Sequence, residues 1–209
     1  MKSELAKVGA RGIDSLPFSQ GGTAQQARDL FDSGIDFVVG YLGAINATRL
    51  GYILDAGMAF MPVTFAGEYF DGALDELKQL DALGIPKRTT VWLDLEGKKS
   101  YEWPTQDLIA RINEWAKQII NEGYEAGLYI GSPQPLTADE LYRLKVTRYW
   151  KAPSRVVDRN GISYDGPQCG FCMYQCWPSI MWKDTGVFVD VDFIQQDFRG
   201  RLPTWVVAD

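Results

Sequence analysis

The sequence predicts an α/β fold, a TIM-like (β/α) barrel of five βα units followed by three strands with little helical cover. Three observations carry this. Strand and helix signals alternate with short breaks from Val8 to Gly131. Beyond Arg148 the strands Phe171 to Cys176 and Val187 to Phe193 follow with no room for full helices between them. One strand, Thr89 to Gly97, ends in two acids. Within it Val91, Leu93 and Leu95 alternate with Trp92, Asp94 and Glu96, so a period of two puts an aliphatic set on one face and both carboxylates on the other. In a barrel of parallel strands wrapped by helices the aliphatic face meets the helices, and Asp94 and Glu96 come to the C-terminal mouth, where such barrels keep their chemistry.

The elements follow in order. Val8 to Asp14 reads as the first strand, ending in Gly12-Ile13-Asp14. After a polar, Gly-rich loop, Thr23 caps a helix presenting Ala27, Leu30 and Phe31 and stopped by Gly34. Phe37 to Leu42 is the second strand; Leu50, Ile53 and Leu54 mark a helix ended by Gly57. Ala59 to Ala66 is the third strand, and Leu74, Leu77 and Leu80 lie on a helix that leads through Gly84 and Pro86 into the strand with the two acids. Thr105 opens the clearest helix, with Leu108, Ile112, Trp115 and Ile119 on one stripe. Gly127 to Gly131 is a fifth strand, Thr137 and Glu140 form a capping box before Leu141 and Leu144, and Arg148 to Ala152 is a sixth strand. In the last strand Val187, Val189 and Val191 face one way and Phe188, Asp190 and Asp192 the other. Asp14, Asp94, Glu96, Asp190 and Asp192 are therefore expected around one mouth, where burying like charges without a use would be costly.

Composition narrows the chemistry. The 209 residues, 46% of them hydrophobic, fit one domain spanning 1–209. A net charge of -6 and a pI near 4.8 argue against nucleic acid and against electrostatic capture by anionic walls or membranes. There is no histidine, which excludes Ser-His-Asp and Cys-His catalysis and imidazole metal ligands, so carboxylates must carry most acid-base work. Cys169, Cys172 and Cys176 are too few for a tetrahedral zinc site without imidazole and are read as buried reduced thiols. No resident metal or cofactor is expected. The start MKSELAKVGARG lacks the apolar core of a signal peptide. The expectation is synthesis in the cytoplasm, with release by lysis, as for a phage lysin, or carriage on a particle as the two routes outward.

Aromatic residues supply the other half of a sugar site, because flat rings stack on pyranose faces. Tyr41, Phe65, Tyr69, Trp92, Tyr129, Trp150, Tyr174 and Trp177 lie at or near the ends of expected strands. Trp92 and Phe65 read as barrel core, whereas Tyr41, Tyr129 and Tyr174 suit either role. Trp103 and Trp115 are assigned to loop and helix packing.

Several of these segments, taken in order, resemble a known family. Gly12-Ile13-Asp14, Asp94-Leu95-Glu96, Leu128-Tyr129-Ile130-Gly131, Trp150-Lys151-Ala152, Tyr174-Gln175 and Val189-Asp190-Val191-Asp192 look like the ordered motifs of family-25 glycoside hydrolases, muramidases of the lysozyme type. The first sixty or so residues are more similar still to the related glycoside-hydrolase-like domain of unknown function. The resemblance implies a flattened barrel that cleaves the β-1,4 bond after N-acetylmuramic acid in peptidoglycan. It implies Glu96 as general acid, Asp94 as its partner, and Asp14 and Asp190 as the first-strand and eighth-strand aspartates. Tyr41, Tyr69, Tyr129, Trp150, Tyr174, Gln175 and Asp192 are the expected substrate-binding residues. Asp192 stands where the family usually has Asn, and Tyr174 and Cys176 replace the outer members of a Trp-Gln-Tyr triplet, which touches the sugar-binding wall and hence the substrate.

The chemistry fits the spacing. Residues two apart on a strand are separated by about 6.6 Å, so an ionised Asp94 favours a protonated Glu96 able to donate to the glycosidic oxygen. Side-chain reach spans both the short and the long carboxylate separations, so the spacing leaves open whether the second step uses water, an enzyme nucleophile or the substrate's acetamido group. Two rival readings remain: a non-catalytic carbohydrate-binding or structural barrel, and a carboxylate-only divalent-metal hydrolase using Asp14, Asp94, Glu96 and Asp190 as oxygen ligands.

Overall fold

The computed structural model describes residues 1–66, 72–95, 102–153, 155–167, 169–182 and 185–209, without the side chains of 177–179. The chain begins with β1 (Lys2–Leu5), β2 (Arg11–Asp14), α1 (Leu16–Gly21), α2 (Ala24–Asp32), β3 (Phe37–Tyr41), α3 (Ala47–Asp55), β4 (Ala59–Phe65) and α4 (Leu74–Ala82). There follow β5 (Thr90–Asp94), α5 (Thr105–Asn121), β6 (Glu125–Ile130), α6 (Ala138–Leu141) and β7 (Arg148–Lys151). A small ribbon of β8 (Val156–Val157) and β9 (Ser163–Tyr164) precedes β10 (Met173–Met181), β11 (Phe188–Ile194) and β12 (Thr204–Val207).

Eight strands close a barrel in the order β4-β3-β2-β11-β10-β7-β6-β5, sealed by the β4–β5 pairing. Strands β2 to β7 each lie parallel to their barrel neighbours within that series, and β10 lies parallel to β7. Only β11 runs against both neighbours, β10 and β2. The barrel is thus not wholly parallel as the sequence suggested. The cause is the short link from β10 to β11, which is long enough for a hairpin but not for the crossover that a parallel pair needs. Reversal puts Asp190 nearer the mouth and Asp192 deeper.

Local signals explain the helices. Thr23 Oγ1 accepts from Gln26 N at 3.2 Å while Gln26 Oε1 accepts from Thr23 N at 3.0 Å, a capping box that starts α2. Thr137 and Glu140 repeat it at α6. Leu108, Ile112, Trp115 and Ile119 of α5 are all buried against the sheet. The stretch read as a Gly-rich loop contains α1, whose start is capped by Ser15 Oγ accepting from Phe18 N at 3.2 Å. Among the described residues, no helix is long and apolar enough to cross a membrane.

The period-two reading of the strands holds. Val38, Phe60, Val91, Leu93, Leu128, Val189 and Val191 join the layer beneath the helices. Phe37, Val39, Met61, Trp92, Trp150 and Met173 fill the barrel itself. Trp92 has room because Gly127 faces it: a Cβ there would lie 2.4 Å from the indole ring, closer than real contacts allow.

The first strand begins later than expected. Val8 is 61% exposed in the turn between β1 and β2, and β1 instead pairs antiparallel with β12, Lys2 opposite Val207 and Leu5 opposite Thr204. Strand β12 joins β4 at Val206–Phe60 and sends Trp205 into the barrel interior, 5.8 Å from the Phe37 ring. Polar contacts fix it there: Thr204 N donates to Thr90 Oγ1 at 2.9 Å, and Glu125 accepts from Thr204 Oγ1 at 3.3 Å and from Arg148 at 3.3 Å. The two chain ends together floor the barrel opposite the mouth.

Candidate active site

The mouth is built from strand ends whose side chains share the inward parity. Across β11 and β2, Asp190 is the register partner of Asp14, and Asp192 that of Gly12. Across β10 and β11, Gln175 pairs with Asp192. On the other side Asp94, the last residue of β5, pairs with Tyr129, and Tyr129 with Trp150. Asp14, Asp94, Gln175 and Asp192 are all buried.

A single amide ties the acids together. Gln175 Nε2 donates to Asp190 Oδ2 at 2.6 Å and to Asp14 Oδ2 at 3.3 Å, and its Oε1 accepts from Tyr129 OH at 3.1 Å. Tyr129 packs on Trp150 with ring centroids 4.5 Å apart, and Trp150 Nε1 donates to Asp192 Oδ1 at 2.9 Å. The chain Tyr129–Gln175–Asp14/Asp190 therefore fixes two carboxylates in orientation, with neutral donors offsetting part of their mutual repulsion. Burial pushes the Asp192 carboxyl well above the ordinary carboxylate range, and the neighbouring Asp14 charge pushes it further.

Beside this cluster a cavity of about 350 Å³ opens to solvent. Its walls are Asp14, Asp190, Tyr41, Phe188 and the first residues of α1, Leu16 and Pro17. Ser15 Oγ donates to Phe188 O at 2.6 Å, which joins the α1 end of the rim to the β11 end. Phe188 is 55% exposed, so its ring is available to a ligand.

The structure brings together Asp14, Asp94, Asp190, Asp192, Tyr129, Trp150 and Gln175 at one end of the barrel, with Tyr41 on the adjoining cavity. It does not bring Tyr174, whose ring stacks on Phe193 at 5.7 Å and meets Phe171 edge-on. Tyr174 sits one residue out of phase with Gln175, so the alternation of β10 turns it to the outer surface. Glu96, Tyr69 and the side chain of Trp177 lie outside the described residues. Phe65 is corrected from core to rim: it is 52% exposed and is the register partner of Asp94. Phe188, Leu16 and Pro17 were not anticipated. Phe188 carried a usable signal, since it shares parity with Asp190, but α1 was hidden in a segment read as loop.

The cysteines are free thiols, with Cys169 and Cys172 buried. Burial pushes the Cys172 thiol up to about 12, which keeps it protonated and unreactive. Among the described residues, no three His, Cys, Asp or Glu side chains are grouped to hold a metal ion.

Comparison with solved structures places the barrel. An uncharacterized B. stearothermophilus protein superposes with a TM-score of 0.63 at 18% identity, covering 90% of this chain and 96% of its own. The Tat-secreted protein Rv2525c of Mycobacterium tuberculosis, in complex with L-tartrate, gives 0.60 at 14% identity over 91% and 97%. The virulence factor GHIP of Streptococcus pneumoniae, a glycosyl hydrolase 25, gives 0.57 at 12% identity over 89% and 87%. The likeness is one of fold. No family model and no curated protein matches at the level of sequence.

Proposed function

We propose that this protein is a glycoside hydrolase of the lysozyme type, cleaving a β-1,4 glycan and most naturally peptidoglycan. The carrying observation is the mouth itself: Asp14 and Asp190, oriented by one Gln175 amide, line an open cavity whose remaining walls include the Tyr41 and Phe188 rings. Carboxylates fixed beside aromatic rings suit a sugar, since the rings take pyranose faces while the acids accept hydroxyl protons and stabilise positive charge as the glycosidic bond breaks. In this reading Glu96 donates the proton to the leaving oxygen and Asp94, buried at the end of β5 two residues earlier in the sequence, is its electrostatic partner. Tyr129 and Trp150 act from behind, holding Gln175 and Asp192 in place. The fold shared with a glycosyl hydrolase 25 supports the reading.

The test is incubation of the purified protein with peptidoglycan, following turbidity and newly formed reducing ends. Release of reducing ends, strongest at mildly acidic pH and indifferent to chelators, is expected. Co-sedimentation with the glycan without any release would favour a binding barrel instead, and activity abolished by chelators would favour a metal hydrolase.

A further inference from the structure

The Asp14–Asp192 contact carries an inference about where a proton resides. Asp192 is fully buried, and its Oδ1 accepts from Trp150 Nε1 at 2.9 Å. Its Oδ2 is equally buried and has no donor, yet the Asp14 carboxyl lies within hydrogen-bonding reach of Asp192. The polar groups nearby are committed elsewhere: Gln175 Nε2 serves Asp190 and Asp14, and Tyr129 OH serves Gln175 Oε1. The register partner, Gly12, brings no side chain; a Cβ there would lie 2.2 Å from the Phe37 ring, which occupies that space. An ionised Asp192 would therefore hold a buried, unsolvated oxygen against a second carboxylate, an arrangement that costs far more than a neutral acid.

We infer that Asp192 is a neutral carboxylic acid whose proton bridges to Asp14, making it a positioning residue that holds the Asp14 carboxylate from below while Gln175 holds it from the side. All three partners are then satisfied: the Trp150 N–H has its acceptor, the Asp192 O–H has its acceptor, and Asp14 keeps its charge. The groups around the pair are consistent with retention of the proton. Asp14 comes from β2 and Asp190 from β11 itself, β7 and β10 present the uncharged Trp150 and Gln175, Tyr129 of β6 reaches the cluster through Gln175, and Asp94 of β5 and Tyr41 of β3 stand at the same mouth. Burial is the largest cause raising Asp192, followed by the Asp14 charge, the hydrogen bond to it and the Asp190 charge, while the Trp150 N–H pulls the other way.

The sign of the pH dependence follows. Asp192 binds its proton more tightly in the folded chain than in the unfolded one, so its contribution to stability is complete below the ordinary aspartate range. That contribution is lost as pH rises through its folded titration. An amide presents the same acceptor and a donor in place of the O–H, but does not titrate. Asp192→Asn should therefore unfold with wild type in acid and become progressively more stable than wild type as pH rises, while Asp192→Ala, which strands the Trp150 N–H, should be less stable throughout.

Infrared difference spectroscopy on the ligand-free protein supplies the direct readout. At a pH of about 6, roughly two units above an ordinary aspartate, wild type should show a protonated-carboxyl C=O stretch that Asp192→Asn removes. The Glu76 carboxyl, also raised by burial, is common to both proteins and cancels. Absence of a wild-type band that depends on Asp192, or parallel stability curves for wild type and Asp192→Asn across pH, would overturn the inference. Neither measurement involves a glycan, so its outcome is separate from that of the hydrolase reading.

Discussion

Glu96→Gln is expected to slow the release of reducing ends from peptidoglycan by at least about a hundredfold, the usual scale for losing a general acid. The substitution preserves the shape of the side chain and removes the proton. It falls two residues after Asp94, whose inward parity at the end of β5 is fixed by the Tyr129 register and by burial of Leu93 and Leu95 on the opposite face. Thermal unfolding should be nearly unchanged, and sedimentation with insoluble glycan should be retained, because a neutral amide removes one negative charge from an already acidic mouth. A variant that cleaved at the wild-type rate would take Glu96 out of the mechanism and move the search for the proton donor to the remaining mouth acids.

Trp92→Ala is expected to be the most damaging single truncation in the barrel interior. The indole is fully buried, donates Nε1 to Met61 Sδ at 3.5 Å, meets Trp150 edge-on at 6.0 Å and fills the space that Gly127 leaves open. No neighbouring backbone can collapse into a closed ring of strands, so the cavity should persist. Losses of about 3–5 kcal/mol are typical of such truncations, which for a chain of this size lowers the melting temperature by roughly 10 °C. The effect should reach the site as well, since Trp150 keeps Tyr129 but loses its other ring partner and with it part of the firm placement of the N–H that Asp192 accepts. Calorimetry of the variant showing a melting temperature within a degree or two of wild type would contradict this account of the core.

The sequence made the barrel legible because its information is periodic. Alternation in Val91 to Leu95 and in Val187 to Asp192 specified which residues face inward, and the described residues of both strands obey it. Capping chemistry located α2 and α6 to within a residue or two. What stayed hidden was non-local. Nothing in Lys2–Leu5 states that its partner is Thr204–Val207, because that pairing depends on how the rest of the chain closes. Strand direction was similarly invisible in Val187 to Phe193: side-chain parity is the same for either direction, so the inward acids were identified but not the order of Asp190 above Asp192. Helix α1 escaped because six residues give too little periodicity to read. The misplacement of Tyr174 shows the opposite hazard, in which a motif's neighbour was carried into the site although the alternation around Gln175 already pointed it outward.

The floor of the barrel also sets how the molecule would respond to tension. Lys2 lies opposite Val207 and Leu5 opposite Thr204, with the Met1 ammonium bonded to Asp209 at 2.7 Å, so both chain ends emerge side by side from the same edge of an antiparallel seam. Force applied to the two ends would peel that seam in zipper geometry, with each rung bearing the whole load in turn. Trp205 would then be drawn out from under Phe37 before any of the eight barrel strands came under strain. Handles attached through the helices on opposite sides of the barrel would instead load many strand pairings at once in shear. The protein should accordingly be mechanically soft along one axis and stiff along others, with the soft axis farthest from the mouth.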